Sequence, residues 1–256
     1  MTTPPPISNL VLDIEGTTCP VQFVSEVLFP YAQANLLAFL TSHQSEQPIR
    51  RLLQEVQDAL LEDPSPIAVA LRSQGSHGLD TLCNYLDWLI RTDRKSTPLK
   101  DLQGRIWDEG YQRGDLIAPL FADVPRALER WRNQGMKLSV YSSGSVQAQK
   151  LLYSHTQSGD LSPVFSHWFD TRTGAKNDPE SYQSIAATLQ TQPEKILFIS
   201  DGIAELVAAE QAGMAVIFSL RPGNPQRDSQ HFRVIENFDA LDFPTKKPPQ
   251  GWQGRY

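Results

Sequence analysis

The 256-residue chain is 40% hydrophobic and 20% charged, an ordinary globular composition with room for one large domain or a core plus a smaller unit. A formal net charge of −6 and a pI near 5.4 argue against a nucleic-acid or anionic-membrane partner, so a phosphate ligand would need positive charge supplied locally. Cys19 and Cys83 show no CxxC or framework spacing, which points to a reducing, cytoplasmic setting, and the histidines (His43, His77, His155, His167, His231) have no zinc-ligand spacing.

Met1 to Ser8 is rich in Thr and Pro and lacks the basic and apolar regions of a signal peptide. The apolar run Leu10 to Leu12 reads as a buried strand that ends on Asp13, with Glu15 two residues on and then Gly16-Thr17-Thr18. In an open α/β sheet ligands sit beyond the carboxyl ends of the strands, which would put both acids at a mouth. Alternation along an extended backbone points the two side chains the same way, and Gly16 allows a sharp turn. One carboxylate can attack while the other moves a proton, and both can hold a hard cation; the alternative is a strand running into an acidic turn. Cys19, just beyond, reads as a small packing residue or a nucleophile.

Four helices are predicted next. One runs from about Ser25 to Thr41, and a second carries Ile49, Leu52, Leu53, Val56 and Leu60 behind Pro48. A third carries Leu79, Leu82, Leu86 and Leu89, and a fourth opens at Pro98 and ends near Tyr111. Apolar runs such as Asn35 to Leu40 fall short of a membrane span, and no strand signal stands out between Cys19 and Leu116. The pattern then changes to alternating helix and strand. A helix with Val124, Ala127, Leu128 and Trp131 ends at Gly135, and a strand spans Lys137 to Tyr141. A helix from Ser145 to Tyr153 and a strand over His167 to Asp170 follow, and Asp178-Pro179 opens another helix. A strand over Ile196 to Ile199, a helix over Ile203 to Ala212, a strand over Ala215 to Leu220 and a short strand within Phe232 to Ile235 complete it. The tail from Pro244 to Tyr256 reads as loose.

Alternating strands and helices predict an α/β fold with a parallel sheet. The interval from Asp13 to Ser142 is many times the dozen or so residues that a crossover helix needs, so the excess must fold as a unit of its own. The expected organisation is a core of residues 1–18 and 117–256 with a helical cap of residues 19–116, placed like a lid over the mouth. Other polar residues fall at positions like that of Asp13. Ser142 and Ser143 follow a strand and, with nearby backbone N–H groups at a helix start, can bind phosphate oxygens, although Ser-Ser-Gly-Ser is also a turn sequence. Lys176 precedes a helix and could neutralise a phosphate and a carboxylate, or stay solvated. Asp201 follows a strand directly and reads as a magnesium ligand or a helix N-cap, and Glu205 could hydrogen-bond to metal ligands.

In this order the residues resemble the haloacid dehalogenase-like superfamily of phosphoryl-transfer enzymes, over about residues 9–18 and 117–225. The chain is more closely similar to one family within it, the enolase-phosphatases (acireductone synthases) of methionine salvage. That resemblance rests on Asp13-Ile14-Glu15-Gly16-Thr17-Thr18, Leu102-Gln103-Gly104-Arg105-Ile106-Trp107 with Gly110-Tyr111, and Tyr141-Ser142-Ser143-Gly144-Ser145-Val146 with Ala148-Gln149. It rests also on Phe169-Asp170-Thr171 with Gly174 and Lys176, on Ser181-Tyr182 and on Ser200-Asp201. Glu15 replaces the aspartate that the wider superfamily carries two residues after its nucleophile, which fits the narrower family.

The resemblance implies a Rossmann-like core with a helical cap inserted after the first strand, a monomer, one magnesium ion per subunit and a small phosphorylated substrate, 2,3-diketo-5-methylthiopentyl 1-phosphate. It implies Asp13 as nucleophile, Glu15 as acid/base, Ser142, Ser143 and Lys176 on the phosphoryl oxygens, and metal held by Asp13, Asp201 and Glu15, the last through its backbone carbonyl or its side chain. The alternative is a magnesium-dependent phosphatase of the same superfamily acting on another small phosphate, such as a sugar phosphate or phosphoglycolate.

Overall fold

A computed structural model of the chain describes residues 6–73, 78–92, 94 and 96–243; the tail expected to be loose and His77 lie outside them. Two compact units emerge, one of Met1–Val21 with Ala118–Tyr256 and one of Gln22–Ile117.

The first unit is built on a six-stranded sheet: β1 (Asn9–Leu12), β2 (Lys137–Tyr141), β3 (Phe165–Phe169), β4 (Ile196–Ser200), β5 (Ala215–Ser219) and β6 (Val234–Ile235). The spatial order is β3-β2-β1-β4-β5-β6 and every pairing is parallel. This is the order of a doubly wound sheet, whose direction of winding reverses beside β1. All four residues of β1 and all five of β4 are buried, as strands covered on both faces must be, which explains why they read as apolar runs. The crossovers carry α6 (Val124–Asn133), α7 (Val146–Ser154), α8 (Pro179–Thr188) and α9 (Ile203–Gln211). Asp178 caps α8 through a bond from the Glu180 N–H, with Pro179 in the first turn, as the sequence predicts. Tyr141, Tyr182 and Phe198 meet as an aromatic cluster beneath the carboxyl end of the sheet, with ring centroids 5.2–6.5 Å apart.

The second unit holds a π-helical stretch (Phe23–Leu28) leading into α1 (Phe29–His43), then α2 (Gln47–Glu62), α3 (Pro66–Ser73), α4 (Leu79–Arg91) and α5 (Thr97–Arg113). The sequence gives no sign of α3, because it buries only Ala68 and Leu71 while Ile67 and Val69 stay exposed, so no apolar face shows. The stretch Phe23–His43 also corrects the expectation about apolar runs. It is 21 residues long with mean hydropathy 1.3, enough by length and composition alone to cross a membrane. Within it Phe23, Leu28, Ala32, Leu36, Phe39 and Leu40 are buried.

Phe198 is completely buried and central to the sheet, so Phe198→Ala should cost about 3–5 kcal/mol. Urea unfolding followed by circular dichroism should show that loss as a lower midpoint with an unchanged slope.

Candidate active site

Strand register brings the expected residues to one edge. Leu12 lies level with Val140 of β2 and Ile199 of β4, so Asp13, Ser142 and Asp201 all leave the sheet at its carboxyl end. The Asp13 N–H still donates to Ile199 O at 3.0 Å, continuing the ladder. Beyond it the chain folds tightly on itself. The N–H groups of Thr17, Thr18 and Cys19 all converge on the Ile14 carbonyl at 2.9–3.1 Å, and the Gly16 N–H donates to Cys19 O at 2.8 Å. Gly16 has φ +69°, and a Cβ there would sit 2.1 Å from Asp201 Oδ2. Glycine is therefore required both by the turn and by the approach of the second acid.

Lys176 is buried at the centre. Its side chain is 8% exposed, and Nζ donates to Asp13 Oδ1 at 2.6 Å and Glu205 Oε2 at 2.7 Å. Burial alone would lower its pKa; Asp13 and then Glu205 outweigh that and hold it above the ordinary lysine value. Three side chains brace the backbone that presents it: Tyr141 OH to Gly174 O, Ser181 Oγ to Ala175 O and Tyr182 OH to Lys176 O, at 2.6–3.0 Å. Gly174 has φ +145°, and a Cβ there would sit 2.1 Å from Ser181 Oγ. The Ser200 hydroxyl donates to Glu205 Oε2 at 2.7 Å, with Asp13 Oδ2 3.4 Å away. Glu205 thus reaches Lys176 and Ser200, each of which also contacts Asp13, so its link to Asp13 is indirect.

The other acids carry too much like charge for one ammonium. Burial, then Asp13, then Glu205 push Asp201 up to about 7. Burial and Asp13 raise Glu205, against Lys176. Glu15 is raised by burial and then by Asp13, with Lys176 and the Ser142 hydroxyl pulling back. The Ser142 Oγ donates to Glu15 Oε2 at 3.3 Å.

The phosphate-loop expectation needs correction in part. Several N–H groups at the start of α7 are already used: Gly144 N bonds Ser142 Oγ, Val146 N bonds Asp170 Oδ2 and Ala148 N bonds Ser145 Oγ, at 3.1–3.2 Å. Asp170, at the end of β3, therefore takes a place that the sequence suggested for a ligand oxygen. Gln149 ties the loop down through Gly144 O and Phe169 O. Ser142 is fully buried and Ser143 is exposed, so the two serines are not equivalent. Asp201 is not the N-cap of α9; Gly202 is. Cys19 is fully buried with its thiol pushed far up by burial, which suits packing and not attack.

The donor set fits a hard cation. Asp13 and Asp201 offer carboxylate oxygens, and Asp201 accepts no side-chain or backbone hydrogen bond among the described residues. No group of three or more His, Cys, Asp or Glu side chains placed to hold a metal ion occurs among the described residues, so a cation here would need other oxygen ligands, main-chain or water. The Glu15 carbonyl accepts no backbone N–H among those residues, whereas the Glu15 carboxylate is engaged by Ser142.

Sequence reading missed one group altogether. Asn224 Nδ2 and Ser219 Oγ donate to the Gly16 carbonyl at 2.9 and 3.1 Å, and Arg221 Nε donates to Thr17 O at 3.0 Å. Their position at and just beyond the carboxyl end of β5 was the available signal, the same rule that singled out Asp13, Ser142 and Asp201.

A family model described as haloacid dehalogenase-like hydrolase matches residues 7–213. Enolase-phosphatase E1 of Parasynechococcus marenigrum (strain WH8102) is 49% identical over 240 residues, covering 92% of this chain and 98% of that one. The protein of the same name from Synechococcus sp. (strain RCC307) is 50% identical over 233 residues, covering 91% and 93%. Among solved structures, the UTR4 protein of Saccharomyces cerevisiae aligns with a TM-score of 0.71 and 33% identity, over 92% of this chain and 100% of that one. CbbY of Rhodobacter sphaeroides, with a TM-score of 0.57 and 14% identity over 92% of this chain and 96% of that one, shares the fold alone.

The raised carboxyls fix the sign of a pH effect. Asp201 binds its proton more tightly folded than unfolded, so its contribution to stability is complete below its ordinary value of 3.8 and is lost as pH rises through about 7. Glu205 and Glu15 act in the same direction. The thermal midpoint of metal-free protein should therefore fall between about pH 5 and about pH 8, and Asp201→Asn should flatten that slope. Differential scanning fluorimetry across this range checks both; a parent profile that rises over it contradicts the charge excess.

Proposed function

The chain belongs to the enolase-phosphatase E1 family of haloacid dehalogenase-like hydrolases, and on that premise we propose that Asp13 is its nucleophile and Glu15 its acid/base. It is an acireductone synthase of methionine salvage. The reaction is enolisation of 2,3-diketo-5-methylthiopentyl 1-phosphate, followed by hydrolysis to the acireductone 1,2-dihydroxy-3-keto-5-methylthiopentene and phosphate.

One observation carries the assignment of roles. Of two neighbouring acids at the end of β1, Asp13 is held by the Lys176 ammonium at 2.6 Å, while Glu15 has its pKa raised. Environments that differ in this way separate a nucleophile from a proton carrier. In the first half-reaction an Asp13 oxygen attacks phosphorus, the bond to the leaving oxygen breaks, and Glu15 gives that oxygen its proton. An aspartyl-phosphate results. In the second half-reaction Glu15 takes a proton from water, the water oxygen bonds to phosphorus, and the bond to Asp13 breaks. Ser142, the exposed Ser143 and Lys176 bind the phosphoryl oxygens, and Glu205 keeps Lys176 in place.

Asp13, Asp201 and the Glu15 main-chain oxygen would hold one magnesium ion, which when bound supplies positive charge opposite the phosphoryl oxygens. The two free thiols suit the cytoplasm, and a monomer is the working state.

Asp13→Asn should lower turnover by about three orders of magnitude or more while leaving the circular dichroism spectrum unchanged. With the parent enzyme, ultraviolet absorbance of the enol should appear ahead of magnesium-dependent phosphate release. Phosphate release from ordinary monoesters, with none from the diketo compound, would retain the phosphatase chemistry and remove the substrate.

A further inference from the structure

The turn that follows β5 grips the backbone just beyond Glu15, yet takes no part in the steps above. Its anchor is Arg221, 2% exposed, whose guanidinium is paired with Asp123 at 2.9 Å, bonded to Glu236 O at 3.0 Å and sandwiched by the Phe121 and Phe238 rings at 4.7 and 4.4 Å. From this fixed base Arg221 holds the Thr17 carbonyl, and Asn224 and Ser219 together hold the Gly16 carbonyl.

Asn224 is 4% exposed and uses only half of its amide. Nδ2 donates to Gly16 O and to Ser219 O at 2.9 and 3.1 Å, whereas Oδ1 is buried without a partner. Both partners are carbonyls, so the donor end must face them. A buried acceptor left unpaired weakens a fold, so stability alone does not account for an asparagine here.

The geometry says what the grip controls. A trans peptide is planar, with its C=O opposed to its N–H. The Gly16 N–H points to Cys19 O, so the Glu15 C=O points the other way, where it accepts no backbone N–H among the described residues. The next peptide is held at both ends, its N–H by Ile14 O and its carbonyl by Asn224 and Ser219. Between these two planes lies Gly16, which has no side chain, sits at φ +69° and has Asp201 Oδ2 against it. Without a hold on both planes a glycine here would be free to rotate.

We propose that Asn224 and Ser219 are positioning residues for the cation site, setting the Glu15 main-chain oxygen and the Asp201 carboxylate at the separation that magnesium needs. This rests on the assignment of magnesium to Asp13, Asp201 and the Glu15 main-chain oxygen. Neither residue touches substrate; both act through the Gly16 peptide.

The test is magnesium binding to the full-length, substrate-free protein by isothermal titration calorimetry, on the parent and on Asn224→Ala, Ser219→Ala and Asp201→Asn. Asn224→Ala and Ser219→Ala should each weaken binding by about tenfold or more, with metal-free thermal midpoints near that of the parent. Saturating magnesium should then restore kcat in both, with KM for the phosphorylated substrate unchanged. Magnesium binding within about twofold of the parent in both variants, alongside its loss in Asp201→Asn, overturns the proposal and leaves the metal assignment standing. Parent-like binding by Asp201→Asn overturns the assignment and the proposal together. If Asn224→Ala fails to fold, Ser219→Ala, which removes a single hydroxyl, decides alone.

Discussion

Burying an ammonium ion is costly, and the site is arranged around the burial of Lys176. Taking one such ion out of water carries an effective penalty of several kcal/mol, which is offset only by good geometry and charged partners. Both are present in the bonds to Asp13 and Glu205. The lysine can hold this position because its loop cannot move. Tyr141, Ser181 and Tyr182 each fasten one carbonyl in the run from Gly174 to Lys176, and the two tyrosines rest on Phe198 in the sheet. The aromatic core and the catalytic charge are thus one construction. The sheet supplies a rigid floor, the floor fixes the loop, and the loop sets a cation against the Asp13 carboxylate.

The same charges make the site incomplete as an anion receptor. Four carboxyl groups face one buried ammonium, and a phosphate brought there would meet net negative charge. Burial first, and the neighbouring carboxylates second, raise the pKa values of Asp201, Glu205 and Glu15. A divalent cation bound there would offset that charge.

Much of this was legible in the sequence, for a physical reason. Strands covered on both faces must be apolar, so the strands stood out, and a polar residue directly after each one stood at a carboxyl end. Asp13, Ser142 and Asp201 were found that way, and Lys176 by its place before a helix. Three kinds of feature escaped. The helix α3 escaped because its apolar residues do not share a buried face. The N–H groups at the start of α7 looked available because a sequence does not reveal that Asp170, from another strand, already binds one of them. Ser219, Arg221 and Asn224 went unnoticed because they hold the site through the Gly16 and Thr17 backbone carbonyls, which carry no side-chain signature, so that only their place at the end of β5 could have pointed to them.

The sheet unit also shows where the chain is interrupted. The Phe121 N–H donates to Thr18 O at 3.1 Å, and Ala118 is bridged to Thr156, so the two ends of the interruption are tied within the sheet unit itself. The entropy of closing a flexible loop grows only with the logarithm of its length, about 0.6 kcal/mol for each doubling. Once these ends are fastened, the sheet is nearly indifferent to how many residues lie between them. A scaffold of this kind is modular: the segment between Thr18 and Phe121 can be lengthened, shortened or exchanged for another fold while Asp13, Lys176 and Asp201 keep their places in the sheet unit.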